Sequence, residues 1–289
     1  MKHTILAPAK VNLYLDVLSK RPDGYHEIES VMQSVSLCDK ISVDISDSNE
    51  LQISISGSND AIAWDEKNLA YRACELFAKE AKISNSRIEI FVEKNIPISA
   101  GMAGGSTDAA GVLLILNKAF GEPFSKEELC SLGARLGADV PFCIIGGTCL
   151  CKGVGDVLIP LPKFSDKLLV CAIDSSSVST PVAYSLLDKK YGTNASASYD
   201  IDEFLTYVKN DDLKGLSDAL FNKFESVIAP ENPTILKIKY LLLSNGALGA
   251  LMSGSGPSVF GIFENENDQK RALLALQKEK IQAFSCKSL

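Results

Sequence analysis

The stretch Pro97-Ile-Ser-Ala-Gly-Met-Ala-Gly-Gly-Ser-Thr-Asp108 puts Gly101, Gly104 and Gly105 within five residues, a density that few local folds require. Ahead of it, Arg87-Ile-Glu-Ile-Phe-Val-Glu93 alternates polar and apolar residues as a half-buried strand does. Behind it, a proline-free run rich in alanine and leucine predicts a helix closed by Gly121. A strand, a glycine-rich loop and a helix N-terminus together make an anion site. The glycines let the backbone approach a ligand, unpaired N–H groups point at it, and the helix dipole favours negative charge there. Ser106 and Thr107 add hydroxyls where phosphate oxygens or a bound Mg²⁺ would sit. A plain strand-to-helix turn capped by Ser106 or Thr107 is the competing reading, although three glycines exceed what a cap needs. No lysine follows the glycine pair, so this is not a Walker A loop, and the G-x-G-x-x-G fingerprint is absent from the loop too.

Residues 3–18 alternate over a long span, with Ala9, Val11, Leu13, Leu15 and Val17 on one face and Lys10, Asn12, Tyr14 and Asp16 on the other. The pattern predicts a strand with one face in the core and a polar face that is wet, or that holds Lys10 for a site beside the small entry Ala7-Pro-Ala9. Arg21-Pro-Asp-Gly24 signals a turn, leading into Tyr25-His26 and a strand through Leu37. That aromatic pair is either a half-exposed strand start or a shelf for stacking a base. Two further short strands are expected within 41–56, and a helix over 68–82. Ser125 with Glu128 forms a capping-box signature for a helix reaching Leu136 and stopping at Gly137. Asp139 is then the single carboxylate in an apolar run to Ile145: a turn cap or a retained functional group.

The second half opens with a strand over 167–173. Next come a loop, Ser175-Ser-Ser-Val-Ser-Thr-Pro181, and a helix containing Tyr184. Residues 194–200 are a polar insert, expected to be mobile. Helices over about 200–209, 211–220 and 231–244 lead to a second glycine loop, Ser253-Gly-Ser-Gly-Pro-Ser258, and a strand over 259–263. Small residues around that loop suggest close approach to a neighbour. An amphipathic helix over 268–280 and a final strand complete the chain.

At 289 residues the length suits two modest domains or one large one. Net charge is 29 minus 36, or −7, which argues against a nucleic-acid surface as the main role. With two histidines, and eight cysteines that form no C-x-x-C pair, no metal-ligand spacing emerges. The cysteines read as reduced core thiols. No secretory h-region opens the chain, and no apolar run reaches the ~18 residues of a membrane span, so a cytoplasmic location is expected.

The loop Pro-x-x-x-Gly-Met-Ala-Gly-Gly-Ser-Thr-Asp-Ala-Ala resembles the phosphate loop of the GHMP kinases, with Met102 where leucine is usual and Thr107 for the second serine. Three other pieces resemble the family's remaining motifs: Ala7-Pro-Ala-Lys-Val-Asn12 with Arg21-Pro-Asp-Gly-Tyr-His26, then Gly137-Ala-Asp-Val-Pro-Phe142, then Ser253-Gly-Ser-Gly-Pro-Ser258. Pro-Asp-Gly-Tyr-His and Ala-Asp-Val-Pro-Phe are specific to one branch, and the match spans residues 7–263.

The resemblance implies a two-domain α/β (α+β) GHMP kinase fold. Residues 1–162 would resemble domain 2 of ribosomal protein S5, residues 163–289 would be ferredoxin-like, and the crevice between them would hold both substrates. It implies an ATP-dependent kinase for the 2-hydroxyl on the erythritol unit of a diphosphocytidyl substrate, in the non-mevalonate route to isoprenoid precursors. Asp139 becomes the catalytic base with Lys10 as its partner. Pro97, Ile98, Ser99, Ala100, Gly101, Met102, Ala103, Gly104, Gly105, Ser106, Thr107 and Asp108 would bind ATP, with Asn68 and Lys94 near the adenine. Asn12, Tyr25, His26 and Tyr184 would bind the cytidyl substrate, and Mg²⁺ would arrive with ATP and meet Ser106. The implied partners are those two small molecules, with no nucleic acid or membrane, and the chain would be a monomer or weak homodimer. The alternatives are a GHMP kinase for mevalonate or homoserine, which needs no shelf like Tyr25-His26, and a GHMP-fold sensor, which should lack Asp139 or Lys10. An S5-like nucleic-acid binder is disfavoured by the charge.

Overall fold

The computed structural model describes residues 1–174, 179–193 and 197–289, and its contacts divide the chain into two compact units. Parts of the expected 175–181 loop and 194–200 insert (175–178 and 194–196) lie outside the described residues. No helix among the described residues is long and apolar enough to cross a membrane.

The first unit comprises Met1–Ala9, Cys38–Ile98 and Ala103–Gly146. It takes the start of β1 (Lys2–Lys20), the end of β2 (His26–Asp47), β3 (Gln52–Gly57) and β4 (Ser86–Glu93). β4 runs antiparallel to β2, from Lys40 opposite Glu93 to Asp47 opposite Ser86, and parallel to β3. A parallel pair needs a crossover, and α1 (Leu69–Glu80) supplies it. Three more helices follow: α2 (Gly104–Ala119), α3 (Lys126–Ala134) and α4 (Val140–Ile145). The alternation in β4 is realised: Ile88, Ile90 and Val92 are buried against Phe77 of α1 and Leu113 and Leu116 of α2. The Ser125–Glu128 capping box forms as its sequence indicates, but α3 ends at Ala134, short of Leu136.

β2 departs from expectation, because the break foreseen between Leu37 and Ile41 is absent. Asp39, which lies in that interval, is fully buried inside the strand, its carboxylate satisfied from the segment following β4.

The second unit comprises Lys10–Leu37, Ser99–Met102 and Gly147–Leu289. The hairpin β5 (Thr148–Lys152) and β6 (Val157–Pro160) pairs with β2, and the two-residue β8 (Phe221–Asn222) lies parallel to β1. A four-stranded antiparallel sheet is ordered β11 (Gln282–Lys287), β7 (Leu168–Ile173), β10 (Ser258–Phe263), β9 (Gly249–Met252). Its helices are α5 (Thr180–Tyr191), α6 (Ile201–Lys209), α7 (Leu213–Asp218), α8 (Glu225–Ile228), α9 (Pro233–Ser244) and α10 (Glu266–Lys278). Ile235, Ile238 and Leu242 of α9 and Ala272 and Leu276 of α10 pack with Val170, Ala172 and Val259 of the sheet. That spacing is the helical period read from the sequence.

The polar face of β1 is not wet. Lys10, Asn12, Tyr14 and Asp16 are all buried, at 4%, 1%, 2% and 0% exposure. Burial of such groups requires partners. Tyr14 packs between Phe204 and Phe221, and Asp16 pairs with Lys223 at 2.9 Å.

Candidate active site

In the first unit, α2 begins at Gly104 itself, so Gly104, Gly105, Ser106 and Thr107 form its first turn. Ala103 stands at the N-cap in the left-handed region (φ 60°) and offers no capping side chain. The Thr107 N–H bonds the Ala103 carbonyl. Helix geometry leaves the N–H groups of Gly104, Gly105 and Ser106 without an intrahelical acceptor. A Cβ on Gly105 would meet nothing within 4 Å, whereas one on Gly104 would touch Lys94 Nζ and Ile96 Cγ2 at 3.3 Å. The turn is therefore open on the Gly105 side and closed on the Gly104 side.

The two hydroxyls diverge. Thr107 is buried and donates its hydroxyl to the Pro8 carbonyl at 2.8 Å, which ties α2 to β1. Ser106 is half-buried, and a Cβ on Gly137 would lie 4.0 Å from its Oγ. The Gly137-Ala-Asp139 segment thus reaches the first turn of α2. Asp139 occupies the N-cap of α4, half-buried, and makes no capping hydrogen bond with its side chain. Its reading as a turn cap is not realised.

Lys94 and Asp108 stand together beneath this turn. The Lys94 ammonium, 5% exposed, bonds Asp39 Oδ2 and Asp108 Oδ2, the latter at 2.7 Å. Burial pushes the Asp108 carboxyl up to about 8, against the pull of Lys94. Asp108 Oδ1 has no partner. Asn68 caps α1, accepting from the Ala70 N–H at 3.0 Å and donating to the Ala63 carbonyl at 3.1 Å.

In the second unit, Lys10 donates to Asn12 Oδ1 at 2.7 Å, and Asn12 donates to Ser30 at 2.8 Å. The Asn12 N–H donates to Ser253 Oγ. The two glycine loops meet here as the small residues suggested. A Cβ on Gly101 (φ 70°) would lie 2.8 Å from the Ser253 carbonyl oxygen, and one on Gly254 would lie 3.6 Å from Lys10 Nζ. Asn222 holds the second loop by donating to the Met252 and Gly254 carbonyls. Met102 is buried, its carbonyl accepting from the Lys10 N–H.

His26 stacks on Tyr184, with ring centroids 4.5 Å apart and planes within 18°. Its Nε2 lies 2.7 Å from Asp188 Oδ1, and Lys20 bonds the other Asp188 oxygen. Burial raises the Asp188 carboxyl, but these two partners outweigh it and hold the group below its ordinary range. Tyr25 is 66% exposed. Of the expected shelf, His26 and Tyr184 come together in this unit and Tyr25 faces solvent.

Asp39, Asn222, Ser30 and Asp188 escaped the sequence reading. Each is a single polar residue amid an ordinary pattern, and each gains meaning from a partner at least 16 residues away, the nearest being the Ser30 bond to the Tyr14 carbonyl.

Residues 68–147 match the family model for the GHMP kinases N terminal domain, and residues 204–282 match that for the GHMP kinases C terminal. The 4-diphosphocytidyl-2-C-methyl-D-erythritol kinase of Clostridium perfringens is 43% identical over 266 residues, covering 92% of this chain and 90% of that protein. A crystal structure of 4-(cytidine 5'-diphospho)-2C-methyl-D-erythritol kinase superposes with a TM-score of 0.82 at 31% identity, covering 99% of both chains. A homoserine kinase from Cytophaga hutchinsonii superposes with a TM-score of 0.76 at 19% identity, over 100% of this chain and 94% of that one. That last likeness speaks to fold alone.

Proposed function

Since the chain belongs to the GHMP kinases, and among them to the 4-diphosphocytidyl-2-C-methyl-D-erythritol kinases, we propose that it phosphorylates the 2-hydroxyl of 4-diphosphocytidyl-2-C-methyl-D-erythritol. ATP is the donor, the products are the 2-phosphate and ADP, and the step belongs to non-mevalonate isoprenoid precursor biosynthesis. The observation that carries this reading is the first turn of α2, open at Gly105, with three N–H groups lacking intrahelical acceptors.

Phosphoryl transfer asks little covalent chemistry of the protein and much positioning and charge stabilisation. The N–H groups of Gly104, Gly105 and Ser106, with the α2 dipole behind them, hold the β- and γ-phosphates. Pro97, Ile98, Ser99, Ala100, Gly101 and Met102 lead the backbone into that turn. Among the described residues no cluster of three or more His, Cys, Asp or Glu side chains could hold a metal ion. A lone Ser106 hydroxyl beside nucleotide oxygens and waters suits Mg²⁺, which would neutralise charge developing on the phosphates. Asp139 takes the proton of the attacking hydroxyl and Lys10 stabilises the developing alkoxide. Asn12 orients Lys10 and contacts the cytidyl substrate, while Tyr25, His26 and Tyr184 hold the cytosine.

For the adenine, Asn68 and Lys94 offer what their existing bonds leave: a second lone pair on Asn68 Oδ1 and the third proton of Lys94. The same reading divides the chain at 162/163, supported by the family matches falling on either side. The working partners are two small molecules, and a monomer or weak homodimer suffices.

The test is ADP release from Mg·ATP against 4-diphosphocytidyl-2-C-methyl-D-erythritol, mevalonate, homoserine and galactose. Turnover with the cytidyl compound alone is the expected outcome. Turnover with mevalonate or homoserine instead moves the chain to another branch.

A further inference from the structure

Asp39 is fully buried, and its carboxylate has three donors. Oδ1 accepts the N–H groups of Asn95 at 2.6 Å and Ile96 at 2.8 Å, and Oδ2 takes the Lys94 ammonium. Asn95 is gripped a second time through its side chain, which donates to the Cys38 carbonyl at 3.0 Å. Lys94 then reaches past Asp39 to Asp108 in the second turn of α2. Gly104 packs against this pair so closely that a Cβ would touch Lys94 Nζ and Ile96 Cγ2. One strand carboxylate thus fixes where the chain leaves β4 and, through one ammonium, where α2 begins.

We propose that Asp39 is a positioning residue for the nucleotide. Through Lys94 and Asp108 it locks the first turn of α2 against the end of β4, so that three N–H groups are already aimed when a triphosphate arrives. The inference rests on the phosphate-loop reading above. It deepens that reading by naming what holds the loop rigid. The physical case is that hydrogen-bond donors aimed in advance cost nothing to reorganise when charge arrives. A turn carrying Gly104 and Gly105 has more backbone freedom than most, so something outside the turn must restrain it. Asp39 and Asp108, bonded to one buried ammonium, do so with directional hydrogen bonds.

The experiment compares steady-state kinetics of the wild type, Asp39→Asn and Asp108→Asn for both substrates. Asp39→Asn keeps an acceptor for the Asn95 and Ile96 N–H groups but removes the charge facing Lys94. Asp108→Asn weakens the other arm, putting an amide in place of the carboxyl group that Lys94 bonds, and leaves that backbone grip intact. Both are expected to raise KM for ATP by roughly 10- to 100-fold, the scale of a misplaced binding group, with KM for the cytidyl substrate unchanged. Amide exchange of Gly104 to Ser106 should quicken in both. Wild-type KM for ATP in the folded variants overturns the proposal. So does a loss of melting temperature with both KM values unmoved, or an equal rise in the two. If Asp39→Asn fails to fold, Asp108→Asn decides. Failure of the wild type to use ATP would instead sink the phosphate-loop reading on which the inference stands.

Discussion

At the scale of single residues, Asp139 and Lys10 carry the sharpest consequences. Asp139→Asn keeps size and hydrogen bonding but removes the carboxylate proposed as the base, and should lower kcat by about 10²- to 10⁴-fold with little change in either KM. Lys10→Ala should be comparably slow. The double variant should be far less than multiplicatively worse, because the two serve one proton-transfer step. An active Asp139→Asn protein, or one that only melts earlier, would refute the assignment. Asp188 gives a pH signature. Its folded carboxyl titrates below the ordinary value because His26 and Lys20 bond it. A depressed acid contributes stability that is complete above the unfolded pKa, about 3.9, and disappears as pH falls through the folded value. Melting curves should therefore show Asp188→Asn less stable than wild type at neutral pH, the gap closing below about pH 4. A gap that persisted in stronger acid would show that packing, not charge, is what Asp188 supplies.

At the scale of elements, the glycines separate into two kinds. Gly105→Ala places its methyl in open space and replaces a poor helix former by a good one. It should leave the melting temperature unchanged or higher while raising KM for ATP, because the methyl enters the space assigned to phosphate. Gly101→Ala is different. Its φ of 70° is costly for alanine, and the new Cβ would press on the Ser253 carbonyl oxygen at 2.8 Å. That variant should lose stability and activity together. Thermal melting and ATP titration on one preparation check both, and an unaltered KM for ATP in Gly105→Ala would remove the phosphates from α2. The same contrast explains why element types were legible. The alternation in β4, the capping box of α3 and the spacing in α9 and α10 are local patterns, and local patterns survive in one dimension.

At the scale of the whole molecule, each unit has its own apolar core, one centred on β4, α1 and α2 and the other on the β11–β7–β10–β9 sheet. A ligand that binds only the folded chain stabilises it by mass action, about 2.7 kcal/mol at one hundred times Kd. Mg·ATP and cytidine diphosphate should each raise the melting temperature, whereas mevalonate and homoserine should not. No shift with either nucleotide would contradict the kinase reading.

Short windows of the sequence were enough to read most of the elements and the glycine-rich turn at the head of α2, because these rest on periodicity and glycine placement, and matched motifs were enough to nominate Lys10, Asp139, His26 and Tyr184. The sequence did not determine which polar groups would be buried. Alternation in β1 predicted a wet face for Asn12, Tyr14 and Asp16, yet the tertiary structure covers it and supplies partners from Ser30, Phe204 and Lys223. The strand expected to end at Leu37 runs on for the same reason, since the donors that keep Asp39 in β2 lie more than fifty residues away. Periodicity reports how one segment divides between water and core. Whether its polar side finds water or a buried partner depends on what the rest of the chain lays over it, and that is settled only when the chain folds.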